Sequence, residues 1–351
     1  MNLKTLNITQ ELLRIITELE QFNSTWEIKS SYNPEYLSHL RHVATIESIG
    51  SSTRIEGVKL TDHEIESLLG EVAKQSFSSR DEQEVIGYAE VMETVFSEFK
   101  DIQISENYIK FLHDRLLKYS SKDERHKGEY KKHSNSVEAF DKTGKSLGVV
   151  FETTSPFDTP RKMQELVYWT RESLEDKSYH PLIVIAVFNV VFLAIHPFQD
   201  GNGRLSRVLI TLLMLKAGYI YIPYTSLESV IEKNKDSYYL ALQRTQKTLK
   251  DEEDWEPWLN FFFRSLKKQK EHLEIKTNGI DKYSNLSEEC ALIMQYIEDN
   301  GRINLSKARE LLANSNISDP TIKKRIAKLV KLGLIIRQGG GRSTWYSKKV
   351  Y

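Results

Sequence analysis

The chain has almost no cysteine: Cys290 is the only one in 351 residues. A single thiol closes no disulfide within the chain and builds no cysteine metal cluster, which excludes disulfide-stapled scaffolds and zinc-finger modules and fits a reducing compartment. Net charge is also missing, because 49 Lys and Arg balance 49 Asp and Glu. Whole-chain charge therefore names no partner, and any bias must be local. Long apolar runs are absent. The longest, from Pro181 to Ile195, is interrupted by Asn189 and stops at His196-Pro197, short of the roughly 20 residues that cross a bilayer. It predicts a buried core helix and no membrane partner. Met1-Asn2-Leu3-Lys4 lacks the apolar run of a signal peptide, so the expected location is the cytoplasm. No internal repeat or low-complexity tract is visible.

What is present reads as helix. Length suggests two or three domains, and 40% hydrophobic with 28% charged residues is ordinary for a globular chain. Leu12, Leu13, Ile16, Leu19 and Phe22 recur at helical spacing. Helices are predicted over 84–99, over 104–119 with Ser105 as N-cap, from Pro160, from about Arg204 to Ala217, over 229–248 and over 255–272. Between Gly128 and Ser155 the character changes, and Gly144 and Gly148 among Val137, Phe140, Val149, Val150 and Phe151 predict a short hairpin or flap. Strand signals are otherwise scarce, so the body is expected to be nearly all-α. A boundary is expected near Thr277-Asn278-Gly279. Beyond it, helices over 288–299, 305–312 and 319–331 and a hairpin around Gly339-Gly340-Gly341 look like a winged helix-turn-helix.

The most informative stretch is His196-Pro197-Phe198-Gln199-Asp200-Gly201-Asn202-Gly203-Arg204-Leu205-Ser206-Arg207. A buried helix ends before Pro197, and Asp200-Gly201-Asn202-Gly203 is a turn of residues that tolerate positive φ. Successive N–H groups in such a turn, followed by a helix N-terminus, can cradle an anion. Arg204 and Arg207, three apart, can lean over the same side of the first helical turn. Asp200 offers a hard oxygen ligand for Mg²⁺ arriving with phosphates, and His196 can accept a proton near neutral pH.

These twelve residues resemble the signature of the Fic family, HPFxDGNGRxxR, at every specified position. The resemblance implies a Fic helical core with a small β-hairpin flap, and a protein adenylyltransferase that moves AMP from ATP to Ser, Thr or Tyr hydroxyls and releases pyrophosphate. His196 would deprotonate the hydroxyl, and Asp200 would hold Mg²⁺ on the α- and β-phosphates. Gly201, Asn202 and Gly203 would cradle phosphates, and Arg204 and Arg207 would bind the β/γ end. Phe111-Leu112-His113 and Gly128-Glu129-Tyr130 look like the family's approach to its flap, with Lys131 where arginine is frequent and His113 structural. The target chain would dock on the flap as an added strand. Self-modification is compatible with that mode, and a homodimer is implied by the resemblance alone. Asn234, before Tyr238-Tyr239, is a candidate adenosine contact. Val191 is a weaker nucleotide candidate, for which core packing is the better reading. The resemblance covers roughly residues 1–270.

Upstream, Ser51-Ser52-Thr53-Arg54-Ile55-Glu56-Gly57 resembles the family's inhibitory motif, [S/T]xxxE[G/N]. Ser52 and Glu56 are four apart and share a helical face, and Gly57 suits a helix C-terminus. In the family this glutamate pairs with the second arginine of the loop, here Arg207, and so competes with the γ-phosphate. The same glutamate could instead orient a water for AMP removal.

The expected architecture is mostly α: an N-terminal helical region over 1–100 with the inhibitory motif, a Fic core over 101–276 and a winged helix-turn-helix over 277–351. From Ser284 to Tyr351 there are 12 Lys and Arg against 6 Asp and Glu. Lys323, Lys324, Arg325, Lys328 and Lys331 fall on its third helix, while Arg337 and Arg342 flank the glycine turn. DNA is a candidate partner for 284–351, and a protein contact is the other. A competing reading is a nucleotide-sensing DNA-binding transcriptional regulator, against which the intact His196 argues. Within the enzyme class, AMP removal and another nucleotide donor stay open.

Overall fold

A computed structural model describes residues 3–29, 34–70, 77, 79–140, 146–250, 252–282, 286–312, 317–341 and 344–348. Two compact units emerge: one formed by 1–29 with 40–270, the other by 30–39 with 271–351. The N-terminal helices therefore share a unit with the site loop, where sequence suggested a region of their own. The anticipated boundary at 277–279 falls inside a helix, Glu256–Lys282.

The larger unit holds α1 (Gln10–Lys29), α2 (Pro34–Ile55), α3 (Asp62–Gly70), α4 (Arg80–Glu98) and α5 (Glu106–Leu116), then β1 (Ser136–Phe140) and β2 (Ser146–Glu152). It continues with α6 (Thr159–Glu175), α7 (Pro181–Ile195), α8 (Asn202–Lys216), α9 (Leu227–Lys233), α10 (Lys235–Thr248) and α11 (Glu256–Lys282). Helices α2 and α11 run on into the second unit's residues.

Caps set several starts. The Ser79 side chain accepts from Glu82 N and the Ser105 side chain from Tyr108 N, each at 3.2 Å. Helix α7 starts at Pro181, which has no N–H to leave unsatisfied. It is buried nearly all round, and each Val, Leu or Ile so enclosed contributes about 1.5–3 kcal/mol. Its one polar interruption has a purpose in packing: Asn189 Nδ2 donates to Ser206 O on α8 at 3.4 Å. Gly87 lets α4 and α5 touch, since a β-carbon there would stand 2.2 Å from Leu116 O. Among the described residues no helix is long and apolar enough to cross a membrane.

β1 and β2 form a two-stranded antiparallel ribbon from Ser136↔Glu152 to Phe140↔Ser146, with two register shifts. Its tip, including Gly144, lies outside the described residues. The helix expected over 229–248 is two helices, broken at Asn234.

The second unit contains α12 (Glu288–Asn300), β3 (Arg302–Asn304), α13 (Leu305–Leu311), α14 (Asp319–Lys331), β4 (Ile335–Gln338) and β5 (Trp345–Lys348). The sheet runs β3-β5-β4, antiparallel throughout. Strand β3 was not anticipated: three residues are too few to show alternation. Cys290, Ile293, Met294, Ile297, Ile322, Ile326 and Leu329 are among the residues of its core. Arg342 lies outside the described residues.

Candidate functional site

Helix α7 is stopped by a change of handedness. His196 N still closes the last turn onto Phe192 O at 2.9 Å, but His196 itself sits at φ 51°, ψ 61°. That left-handed conformation is unusual for a residue with a β-carbon and cannot propagate a helix. The next turn is closed by a side chain: Asn202 Oδ1 accepts from Phe198 N (2.9 Å) and Nδ2 donates to Phe198 O (2.7 Å). Gly201, at φ 77°, is the N-cap of α8.

Beneath this turn lies His113 of α5. Its Nδ1 accepts from Gly128 N at 2.9 Å and its Nε2 donates to Asp200 O at 3.0 Å, while its ring stacks on Phe198 with 3.8 Å between centroids. Burial pulls its pKa down to about 4, so it stays neutral and keeps this pair of bonds. His113 supports the loop from below.

The His196 ring has Nδ1 3.3 Å from Leu193 O. A carbonyl only accepts, so Nδ1 carries the proton and Nε2 keeps its lone pair. Burial first, and then the charge of Lys131, lower its pKa to about 4, against the opposing pull of Leu193 O, Glu56 and Asp200. The imidazole is a free base at neutral pH.

Both arginines are buried. Arg204 Nη1 lies 2.9 Å from Glu84 Oε2 on α4, and its Nη2 lies 3.4 Å from Asp200 Oδ1. Arg207 meets the end of α2: Nε donates to Ser52 Oγ (2.7 Å), and Nη2 donates to Ser52 O (2.9 Å) and Glu56 Oε1 (2.7 Å). Glu56 sits in the turn just after α2, where Gly57 takes φ 107°. A β-carbon on Gly203 would stand 2.3 Å from Glu56 Oε1, so the carboxylate rests on the first turn of α8, against the helix's positive end. Among the described residues Arg207 Nη1 is buried without a hydrogen-bond partner. Arg54 fastens the same turn, with Nε to Glu232 Oε1 and Nη1 to Asp62 Oδ1 at 2.8 Å each, and Lys235 Nζ donates to Ile55 O at 2.7 Å.

Asp200 accepts from Gly201 N through Oδ1 at 2.6 Å. Its Oδ2 faces Arg80 at 3.5 Å and Lys122 at 3.8 Å, both with largely exposed side chains. Burial raises its pKa, but Arg204, the Gly201 N–H, Lys122 and Arg80 outweigh burial and hold it below the usual carboxylate range. No cluster of three or more acidic, His or Cys ligands exists among the described residues. One carboxylate with an outward oxygen beside an anion cradle is nonetheless a donor set that suits Mg²⁺, which takes one or two carboxylates and draws its other ligands from substrate phosphates and water.

The sequence of residues 103–214 matches the family model described as Fic/DOC family. Residues 103–214 are a Fic/DOC family domain. A probable protein adenylyltransferase of Aquifex aeolicus is 26% identical over 100 residues, 28% of this chain and 28% of that protein. The protein adenylyltransferase Fic of Drosophila grimshawi is 33% identical over 108 residues, 30% of this chain and 20% of that protein. The chain thus spans less than a third of the length of these relatives. A crystal structure of a Fic family protein from Desulfovibrio desulfuricans shares the fold, with TM-score 0.62 and 20% identity over 98% of this chain and 97% of that one.

The Fic loop gathers His196, Asp200, Gly201, Asn202, Gly203, Arg204 and Arg207 with Ser52 and Glu56. The Asn202 side chain is committed to Phe198, so only its backbone faces outward as a ligand group. For two candidates no hydrogen bond to a loop residue is seen among the described residues. Asn234 donates to Val230 O (2.7 Å), accepts from Lys268 (3.3 Å), and lines a groove with Ser237, Arg244, Asn260 and Arg264 that includes no loop residue. Val191 lines a cleft of about 790 Å³ with Thr153, Ala194, Ile195, Gln246 and Trp255. Sequence reading missed Glu84, Arg80 and Lys122 around Asp200 and Arg204. Tyr238, named in the sequence only beside Asn234, has a phenol that is fully enclosed and held high by burial, with Arg207 pulling the other way. Arg80 and Glu84 carry an i, i+4 signal, but nothing along the chain links them to residue 204.

Proposed function

We propose that this chain is a protein adenylyltransferase held in an inhibited state by Glu56. The observation that carries this reading is the Glu56 carboxylate seated over Gly203 and bonded to Arg207. An acidic group from a distant helix fills the anion-binding N-terminus of α8, where phosphate would otherwise lie.

The reaction joins a target hydroxyl oxygen to the α-phosphorus of ATP and breaks the bond from that phosphorus to the β-phosphate-bearing oxygen, so pyrophosphate leaves. His196 Nε2 takes the hydroxyl proton. Arg204 and Arg207 and the N–H groups of Gly201 to Gly203 bear the phosphate charge, and positioning supplies most of the acceleration. Asp200 would hold Mg²⁺, which would supply neutralisation of phosphate charge. Backbone pairing to the β1–β2 ribbon would hold the target segment in extended form.

The test uses ATP labelled on the α-phosphate with Mg²⁺, comparing wild type, Glu56→Gly and His196→Ala with and without cell extract. Label on protein should rise in Glu56→Gly and vanish in His196→Ala. Absence of label from every variant overturns the reading.

For the C-terminal unit we propose duplex DNA as partner, through a winged helix-turn-helix. Helix α14 buries Ile322, Ile326 and Leu329 and exposes Lys323, Lys324, Lys328 and Lys331, a basic face suited to phosphates. Asp319, at its start, is bound by Arg309 at 2.6 Å.

A further inference from the structure

Lys131 is a buried charged group that the mechanism above leaves unused. It lies on the approach to β1 and is 3% exposed. Its Nζ donates to Asn135 Oδ1 (2.8 Å), Thr153 Oγ1 (2.8 Å) and Ile195 O (3.0 Å). Its backbone N–H donates to Pro197 O at 2.9 Å. One residue thus grips the chain immediately before and immediately after His196. All of these acceptors are neutral, and among the described residues no carboxylate pairs with the ammonium.

Two consequences follow from that placement. The first is geometric. Asn135 and Thr153 are the roots of the β1–β2 ribbon, and they are joined to each other (Thr153 Oγ1 to Asn135 O, 2.8 Å) and to the loop (Asn135 Nδ2 to Phe198 O, 2.8 Å). Lys131 ties these roots to the one non-glycine loop residue in left-handed conformation. Such a conformation is strained for a residue with a β-carbon and persists only where surrounding bonds over-determine it. The second is electrostatic. A buried positive charge without an anionic partner disfavours a second positive charge nearby. The charged groups acting on the His196 ring are Lys131 from the ribbon's approach, Glu56 from the end of α2 and Asp200 from the loop. Of these three charges Lys131 alone acts against protonation, adding to burial, which is the larger cause.

We propose that Lys131 is the positioning residue for His196: its ammonium and backbone N–H fix the left-handed turn at residue 196 to the roots of the ribbon and so hold the imidazole in place to take the hydroxyl proton. The inference rests on reading His196 as the base, and the test separates the two. Histidine rings are isotope-labelled in nucleotide-free protein, and the His196 signal, identified by its loss in His196→Gln, is titrated by NMR in wild type, Lys131→Met and Lys131→Arg. In Lys131→Met the midpoint should rise by about one pH unit or more, while Lys131→Arg should stay near wild type. A folded Lys131→Met with the wild-type midpoint overturns the proposal, as does an arginine variant that behaves like methionine. If Lys131→Met does not fold, Lys131→Gln, which removes the charge but keeps an N–H donor, is read by the same criterion. In the Glu56→Gly background, the acid limb of the AMP-transfer profile should move up with Lys131→Met while KM for ATP holds. An unmoved limb counts against the proposal. If Glu56→Gly transfers nothing at any pH, the transfer reading fails, and the ring titration alone decides the role of Lys131.

Discussion

Removing the Glu56 carboxylate should raise the affinity for ATP selectively, and the structure bounds how much. Glu56 makes one 2.7 Å charge-assisted bond to Arg207 Nη2 and covers Gly203. A hydrogen bond to a charged group contributes about 1.5–3 kcal/mol. A nucleotide whose γ-phosphate must displace that bond loses about the same amount, equivalent to about 10- to 150-fold in affinity. The lower end is favoured, because Ser52 continues to hold Nε and Nη2 of Arg207 at 2.7 and 2.9 Å once the carboxylate is gone. Glu56→Gly should therefore bind Mg²⁺–ATP about ten times more tightly or better by calorimetry, while AMP, which has no β- or γ-phosphate, gains little. Equal gains for AMP and ATP, or none for ATP, would refute the argument that the carboxylate occupies the γ-phosphate position.

Three further outcomes are expected. Gly203→Ala puts a β-carbon where Glu56 Oε1 stands 2.3 Å away. It should loosen the inhibitory contact yet close the cradle to phosphate, so ATP affinity measured by calorimetry falls, even in Glu56→Gly. Acidification should destabilise the fold. His113 and His196 titrate at about 4 when folded, below their ordinary value of 6.5. The unfolded chain thus binds more protons between these values, and stability is lost as pH falls from about 6.5 toward 4, by up to about 1.4 kcal/mol per unit for each ring. The Tm of His113→Gln should fall less steeply over that window than that of wild type; parallel slopes would contradict the assignment. For the C-terminal unit, Lys324→Glu with Lys328→Glu should weaken duplex DNA binding in fluorescence anisotropy and reduce the salt slope by about 2. Unchanged binding would remove α14 from the interface.

The chemistry of the Fic loop was legible because it is contiguous. A turn, a helix start and their charged residues all lie within twelve positions, so spacing alone places them together. The contact of Ser52 and Glu56 with Arg207 was legible only through resemblance, since nothing in the local pattern brings them together. Glu84, which holds Arg204, was illegible for that reason: its partner is set by how α4 packs on α8. The break at Asn234 was missed because the polar run Glu232-Lys233-Asn234-Lys235-Asp236-Ser237 carries no Gly or Pro to mark a helix end. What ends α9 there is partly tertiary, an Asn234 side chain turned back to Val230 O and reached by Lys268 of α11. The ribbon's existence followed from its β-branched and aromatic residues, but its fastening by Lys131, Asn135 and Thr153 could not, because residue 131 reads as one more surface lysine until Ile195 and Pro197 are beside it.

The β1–β2 ribbon has a consequence for how targets are chosen. Two paired strands are marginal on their own in water, and a third makes a sheet. A target segment laid along this ribbon would complete a secondary structure that the enzyme carries unfinished. On the proposed reading, target and flap would then stabilise one another: a segment that lends an extended backbone with a hydroxyl in step with His196 would serve as substrate, and folded surfaces that cannot release a strand would be refused. Selection by availability of backbone predicts that amide protons of the ribbon exchange more slowly in the presence of an acceptor peptide, and that peptides interrupted by proline at the pairing positions give no such protection.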